Sequence, residues 1–215
     1  ICRARLALVS RENRTDAQLA AWASEHLVYE VDTLIFALQQ LEGKPQGMMA
    51  NLALESFAVH ARCLFDFLWG KPNPRFDNDA FASDFIDGWN GRRGAIPANL
   101  AKVKGRARFG REVFHLTYDR IDGADERKSW PCGLIALELI QALRLFAELA
   151  RPASLDAATR RRISSLLVED DREAGVRIAT LDLLRYTTVA GATSMDPSQY
   201  RGGTINVRNV EGGGG

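Results

Sequence analysis

Residues 16–42 read DAQLAAWASEHLVYEVDTLIFALQQLE, and this stretch decides the predicted fold. Its apolar side chains recur every three or four positions, which is typical of one face of an amphipathic helix. The positions in this stripe are Leu19, Trp22, Ala23, Leu27, Val31, Leu34, Ile35, Leu38 and Leu41. Thr15 or Asp16 is suited to cap the start of the helix, and Gly43 followed by Pro45 is typical of its end.

The same helical periodicity returns along most of the chain. Further helices are predicted at about 46–69, 79–87, 97–119, 134–149, 154–168 and 171–186, with 88–94 as a turn. A strand over 113–118 stays open as an alternative, because Val, Phe, Thr and Tyr favour strands. Cys63 is expected to be a small core residue, and the arginines at 160–162 are expected to form an exposed helix face.

The predicted fold class is all-α: an antiparallel helical bundle of five or more helices with a short irregular or β-containing C-terminal appendage. The composition changes at residue 187, where Gly, Thr, Ser and Asn become common, and 204–207 is a strand-like piece. We therefore predict a helical domain over 1–186 and an irregular appendage over 187–215.

Composition excludes several classes of protein. The 28 basic and 27 acidic residues nearly cancel, so net charge gives no indication of a nucleic-acid partner. Three cysteines without a CxxC pair argue against a disulfide framework or a zinc site, so no metal is expected. The sequence has no Walker loop, GxGxxG or HExxH motif, and no cofactor is expected. No apolar run reaches the ~18 residues that span a membrane, so we expect a cytoplasmic protein without a membrane partner.

The segment 108–118, RFGREVFHLTY, carries the candidate chemistry. Arg108 and His115 are seven positions apart, about two turns of a helix, so they project in nearly the same direction. Arg111 lies between them on the same face. An imidazole can move a proton near neutral pH, and guanidinium groups can neutralise phosphoryl oxygens. This arrangement suits chemistry on a phosphate.

A run of basic residues leads into this segment. Between positions 91 and 111 there are seven basic residues and no acidic one. They are Arg92, Arg93, Lys102, Lys104, Arg106, Arg108 and Arg111. The run has two readings: a surface that binds a phosphate backbone, or a solvated face. In the second reading its charge is balanced in space by Asp77, Asp79, Asp84, Asp87, Asp119 and Asp122.

An arginine and a histidine separated by six residues on a late helix of a helical bundle resemble the HEPN superfamily. The stretch LALESFAVHARCLFDFL, residues 52–68, also resembles a helix of bacterial HEPN-like proteins. The resemblance covers about residues 15–150. It implies a homodimer whose paired motifs meet across the two-fold axis, and a metal-independent endoribonuclease of the kind found in toxin–antitoxin and phage-defence systems. It also implies RNA as substrate and an antitoxin or other protein as a possible partner.

Under this reading Arg108 and His115 are the catalytic residues. His115 acts as general base or acid when the RNA 2′-hydroxyl attacks the adjacent phosphate. Arg108 and Arg111 stabilise the charge that develops. Tyr118 donates to phosphate or stacks on a base. Glu55 is a further supporting residue, because it shares a helix face with Arg62. The two side chains could form a buried pair that orients the active helix, or an exposed ion pair of little energetic weight.

Two other readings stay open. In the second reading the chain is a non-catalytic helical module that binds a protein partner or nucleic acid through its basic run, with His115 as a core or interface residue. In a third reading it is a structural bundle whose residues 187–215 mediate assembly. Whether the chain is an enzyme is thus undecided by sequence, and endoribonuclease is the activity expected if it is one.

Overall fold

The computed structural model describes residues 14–72, 78–103, 130–171, 175–180 and 204–207. Its helices are α1 (Asp16–Trp22), a π-helical turn (Ala23–Leu27), α2 (Val28–Glu42), α3 (Met48–Trp69), α4 (Ala82–Phe85), α5 (Trp89–Arg92), α6 (Ala98–Val103), α7 (Cys132–Leu149) and α8 (Ala157–Ser164). Its strands are β1 (Leu166–Asp171), β2 (Gly175–Thr180) and β3 (Thr204–Val207). The described residues are mainly helical, as predicted, and most of the predicted helices are present.

The first helical stretch begins at a capping box. The Gln18 backbone N–H donates to Thr15 Oγ1 at 3.2 Å, and the Thr15 N–H donates to Gln18 Oε1 at 2.9 Å. This arrangement satisfies two of the backbone donors that a helix start leaves free. Thr15, one of the two predicted caps, is therefore the residue that caps α1, and Gly43 ends α2 as predicted.

The π-helical turn between α1 and α2 was not predicted. Leu19, Ala23, Leu27 and Val31 are all buried and stand four positions apart. In a regular α-helix each step of four rotates a side chain by about 40° past a full turn, so such a series would drift off the core. The wider turn of a π-helix takes up this drift. It keeps the four side chains on the buried face.

Helix α3 packs along α2 and ends at a glycine that nothing larger could replace. The Gly70 N–H donates to the Asp66 carbonyl at 2.8 Å. A Cβ at Gly70 would lie 2.1 Å from that carbonyl oxygen and 2.7 Å from Phe81 Cε1. The chain can therefore turn from α3 towards α4 only with glycine at this position.

The core between α3, α4, α5 and α7 is aromatic. The ring centroid of Phe146 lies 5.1 Å from that of Phe67, 5.4 Å from that of Phe85 and 6.2 Å from that of Trp89, in each case edge to face. Such pairs add about 0.5–1.5 kcal/mol each beyond the area that they bury. Helix α5, one turn long, lies where the sequence predicted only a turn, and its buried Trp89 joins this cluster.

The sequence-based expectation for residues 154–186 is wrong in two places. Helix α8 ends at Ser164, where a longer helix was predicted, and β1 follows at once. Residues 175–180, predicted as part of a helix, form β2, which pairs antiparallel with β1 from Leu166↔Thr180 to Asp171↔Gly175. The β2 sequence GVRIAT alternates apolar and polar residues at Val176, Arg177 and Ile178, which is the period of a strand.

Strand β3 completes the sheet in the order β1-β2-β3. It pairs antiparallel with β2, from Val176↔Val207 to Ala179↔Thr204. The strand-like piece predicted at 204–207 is thus a strand. Residues on both sides of the predicted boundary at 186/187 share one sheet, which packs against α2 and α7.

The three consecutive arginines of α8 were expected on an exposed face, and this holds for Arg161 alone. Arg160 donates to the carbonyls of Ala147 and Ala150, at the C-terminal end of α7. A cation there is favoured by the helix dipole. Arg162 forms an ion pair with Asp32 of α2. These two contacts fix α8 to the helices that precede it.

Helix α8 begins at an N-cap. Asp156 Oδ1 accepts hydrogen bonds from the backbone N–H groups of Ala158 and Thr159, at 2.8 and 2.9 Å. Partial burial acts to raise the pKa of Asp156, but the hydrogen bonds from Thr159 and Ala158 outweigh it and hold the pKa below its ordinary value.

In the part of the chain that the structure describes, no helix has both the length and the apolar character needed to cross a membrane.

Candidate functional site

Most of the predicted site residues lie outside the described residues. These are Lys104, Arg106, Arg108, Arg111, His115 and Tyr118. The structure describes Arg92, Arg93 and Glu55, and it places the backbone of Lys102 in α6. Of the candidate site, the structure therefore describes the beginning of the basic run, and the predicted catalytic residues lie outside the described residues.

Arg92 and Arg93 are neighbours in sequence and have different surroundings. Arg92 is exposed, and among the described residues it has no hydrogen-bond or ion-pair partner. Arg93 is half-buried, and its Nη1 donates to the Leu68 carbonyl at 3.0 Å. Burial lowers the pKa of Arg93 from its ordinary value, although a guanidinium stays charged near neutral pH. Arg93 is held by the protein, whereas Arg92 faces solvent.

The Leu68 carbonyl, at the C-terminal end of α3, accepts two side-chain hydrogen bonds. Besides Arg93 it accepts a hydrogen bond from Trp89 Nε1 at 2.7 Å. The last four carbonyls of a helix have no partner within the helix. Both donors come from the segment 89–93, so this one oxygen ties the start of the basic run to the core.

The acidic residues proposed to balance the basic run have other contacts. Asp84 Oδ2 accepts from the Phe81 backbone N–H at 2.8 Å, and Asp87 Oδ1 lies 3.8 Å from Arg151 Nη1. Arg151 also donates to Asp16 Oδ1 at 2.7 Å. Neither Asp84 nor Asp87 is seen to pair with Arg92. The remaining members of the predicted balancing set, other than the exposed Asp79, lie outside the described residues.

Glu138 of α7 accepts hydrogen bonds from the first turn of α6, the helix that contains Lys102 of the basic run. Its Oε1 accepts from the Asn99 backbone N–H at 3.1 Å and from Asn99 Nδ2 at 2.8 Å. Its Oε2 accepts from the Leu100 backbone N–H at 2.8 Å. Sequence analysis missed this residue. The signal was present, because Glu138 is the only charged residue between Cys132 and Leu143.

Glu55 lies on the exposed side of α3 and has no hydrogen-bond or ion-pair partner in the described part of the chain. The expected pair between Glu55 and Arg62 is not formed. Instead Arg62 Nε donates to Asp66 Oδ2 at 3.2 Å, one turn further along the same helix. Helical neighbours at i,i+4 meet more readily than residues seven positions apart, because only one turn separates them. A supporting role for Glu55 stays a prediction.

A second polar cluster joins α2 and α3. Glu30 Oε2 lies 2.7 Å from His60 Nδ1, and the Tyr29 ring stands edge-on to the imidazole at 5.6 Å between centroids. The negative charge of Glu30 also acts on the Cys63 thiol of the neighbouring helix and contributes to raising its pKa. Cys63 is exposed, so its predicted place in the core is wrong. The carboxylate of Glu30 thus links α2 to His60 of α3.

The surroundings of Cys63 argue against an activated nucleophile. Cover by neighbouring side chains, followed by the negative charge of Glu30 and its hydrogen bond, raises the pKa of Cys63 to about 11. A reactive cysteine needs the opposite, a lowered pKa.

A cavity of about 50 Å³ lies at the start of α1, lined by Leu19, Trp22, Asn78 and Asp84 among others. Pockets that bind small molecules typically measure about 300–1,000 Å³. This cavity is therefore too small to hold a substrate.

Within the described ranges no group of three or more His, Cys, Asp and Glu side chains is placed to hold a metal ion.

Comparison of the chain with protein-family models, with curated proteins and with solved structures finds no match.

Proposed function

We propose that the chain binds RNA through its basic run and cleaves it as a HEPN-like, metal-independent endoribonuclease. In this proposal Arg92, Lys102, Lys104 and Arg106 contact the phosphate backbone. His115 transfers the proton during attack by the 2′-hydroxyl, and Arg108 with Arg111 stabilises the developing charge. Tyr118 contacts phosphate or a base.

The observation that carries the proposal is the state of Arg92. A solvated face whose charges are balanced in space would pair its arginines with nearby carboxylates. Arg92 is exposed without such a partner among the described residues, while Asp87 lies beside Arg151. An unpaired guanidinium close to the start of a one-signed run supports phosphate binding over the balanced face.

The architecture proposed with this function is an antiparallel bundle of five or more helices that forms a homodimer. A dimer would provide two His115 side chains, so that one takes a proton while the other protonates the leaving oxygen. Of the predicted appendage, residues 187–215, the described strand β3 pairs with β2 of the same chain. A role inside the cell in a toxin–antitoxin or phage-defence system, with a neutralising protein partner, belongs to the same proposal.

The test is cleavage of labelled tRNA and mRNA by the purified chain with EDTA present. We expect cleavage that is lost in Arg108→Ala and His115→Ala. Arg161→Ala and His26→Ala are the matched controls, because both residues are exposed and lie outside the basic run. Equal cleavage by all variants would refute the assignment of Arg108 and His115. Salt-sensitive binding without turnover would favour the non-catalytic module.

A further inference from the structure

Helix α3 exposes an apolar patch on the side that faces away from the core. Both of its ends are described, at Gly47 and Gly70, and its 22 residues make it about 33 Å long. Met48, Met49 and Leu52, near its start, are 71%, 61% and 51% exposed. Single apolar residues scattered on a surface are normal, whereas a contiguous apolar patch marks an interaction site.

The exposed side of α3 continues from this patch with the spacing of a helix–helix contact. Its residues recur three and four positions apart, as the contact residues of a coiled coil do. We call them the α3 seam, and they are Met49, Leu52, Ser56, Val59 and Cys63. Ser56 and Val59 are half-buried, and Cys63 is exposed. The seam is about four helical turns long, enough for a second helix to lie along it.

Two opposite charges along one edge of the α3 seam indicate which helix fits it. Glu55 and Arg62 are seven positions apart, so they lie on the same edge and about 10 Å from each other along the axis. Glu55 has no hydrogen-bond or ion-pair partner among the described residues. Arg62 Nε donates to Asp66, and a guanidinium has five N–H donors, so Arg62 can also bind a second carboxylate.

We infer that the α3 seam binds the α3 seam of a second copy of the chain, with the two helices antiparallel across a two-fold axis near Val59. In this arrangement a residue before the axis on one helix lies opposite a residue equally far beyond it on the other. Glu55 of each copy then lies opposite Arg62 of the other. A parallel pair would place the two charged edges on opposite sides of the contact, and both ion pairs would be lost.

The inference rests on the homodimer of the proposed function, to which it assigns a surface, and it does not require RNA cleavage. Every residue that carries it lies within one helix whose two ends are described. The self-complementary charge pattern favours a second copy over an unrelated partner, because a two-fold contact between identical faces needs both signs on each face.

Sedimentation velocity of the purified chain and its variants tests the apolar contact. We expect a dimer, and Leu52→Asp should raise its dissociation constant about tenfold or more, because the substitution places an unpaired charge in the contact. Ile96→Asp is the matched control, since Ile96 is an exposed apolar residue outside α3. Equal dissociation constants for the two variants would overturn the inference.

Exchange of the two charges tests the antiparallel arrangement. Glu55→Arg and Arg62→Glu each bring like charges together twice per dimer, so each should weaken it about tenfold. The variant that carries both substitutions regains opposite charges and should dimerise within about threefold of the unsubstituted chain. A double variant that dimerises no more tightly than the single variants would overturn the arrangement.

Cross-linking at the axis gives a readout that does not depend on charge, and it decides the question if Arg62→Glu fails to fold. In a Cys63→Ser background, Val59→Cys should be linked between copies by a short bismaleimide, with the link found in the peptide that contains position 59. Glu25→Cys in the same background is the control, because Glu25 is exposed and lies outside α3. Equal linking at the two positions would contradict the inference.

The possible failures differ in what they overturn. A monomeric unsubstituted chain would overturn the inference and the proposed homodimer together. A dimer that Leu52→Asp leaves intact would overturn the inference and leave the homodimer standing. A dimer that responds to the substitutions as expected but does not cleave RNA would support the inference and overturn the proposed endoribonuclease.

Discussion

Arg162 Nη2 lies 2.6 Å from Asp32 Oδ1, and its Nε lies 3.1 Å from the same oxygen, so two donors of one guanidinium meet one buried carboxylate. The side chains are 17% and 11% exposed. The pair joins α8 to α2 across 130 positions of sequence. Removing one partner of such a pair leaves an uncompensated charge in a place that excludes most water.

We therefore expect Arg162→Ala to lower the free energy of unfolding by about 3 kcal/mol, the range observed when one partner of a buried ion pair is removed. Arg161→Ala, at the adjacent exposed position, should change it by no more than about 0.5 kcal/mol. Urea unfolding of both variants measures the difference. Equal values for the two substitutions would show that the Asp32 pair contributes nothing to stability.

The cost of Arg162→Ala should depend on pH. Burial raises the pKa of Asp32 above its ordinary value of 3.8, and Arg162 opposes this rise without cancelling it. A carboxyl whose pKa is higher in the folded chain binds its proton more tightly there, so its ionisation costs stability as pH rises through that pKa. Without Arg162 this cost increases. The destabilisation should be largest near neutral pH and should shrink in acid once Asp32 is protonated.

Unfolding measured at about pH 7 and at about pH 4 for Arg162→Ala and for the unsubstituted chain tests this sign. A penalty that grows in acid would contradict it. Replacing Asp32 by Asn in the Arg162→Ala background provides the control, because it removes the titrating group and should make the remaining penalty independent of pH.

Cys63 should react slowly with alkylating reagents for an exposed cysteine. With a pKa of about 11, little of its thiol is ionised near neutral pH, whereas a free cysteine titrates at about 8.5. Glu30→Gln removes the negative charge beside the sulfur and should accelerate iodoacetamide labelling of the peptide that contains Cys63. Glu25→Gln changes an exposed carboxylate earlier in the same helical stretch and should have no effect. Equal rates in both variants would rule out control by Glu30.

Substitutions of Arg92 and of Arg93 should differ in their effects on RNA binding and on the free energy of unfolding. Arg92→Ala should weaken RNA binding and leave the free energy of unfolding unchanged, because Arg92 has no partner among the described residues. Arg93→Ala should lower stability by about 1 kcal/mol, because it removes a charged donor from the Leu68 carbonyl. Trp89 still satisfies that oxygen, which keeps the cost moderate. The paired measurements are thermal unfolding and RNA titration, and identical profiles for the two variants would contradict the different roles given to them.

Helical periodicity predicted the parts of the fold that depend on local sequence. The stretch 16–42, the helix α3 and the helix α7 follow from the spacing of their apolar residues, and Thr15 was one of two caps proposed. The strands β1 and β2 were missed because six-residue elements carry a short pattern that a helical reading also accommodates.

The tertiary contacts of the candidate site could not be predicted in this way. Neither Glu138 nor Asp32 was predicted to matter, because the partners that give them a role are 39 and 130 positions away in the sequence. Sequence also treated Arg92 and Arg93 alike. About 100° of helical rotation separates neighbours on a helix, and this rotation decides which side chain meets the protein and which meets solvent.

The pairing of β3 with β2 determines what happens to the sheet when the chain is truncated at residue 187. A chain ending there would lose Thr204–Val207 and leave without partners those backbone donors and acceptors of Val176–Ala179 that face β3. An open strand edge is a template for pairing with another chain. If a shortened protein forms larger particles, the cause is then the exposed edge of β2, which the truncation itself creates. Replacing residues within 208–215 while keeping β3 tests without this artefact whether the tail drives self-association.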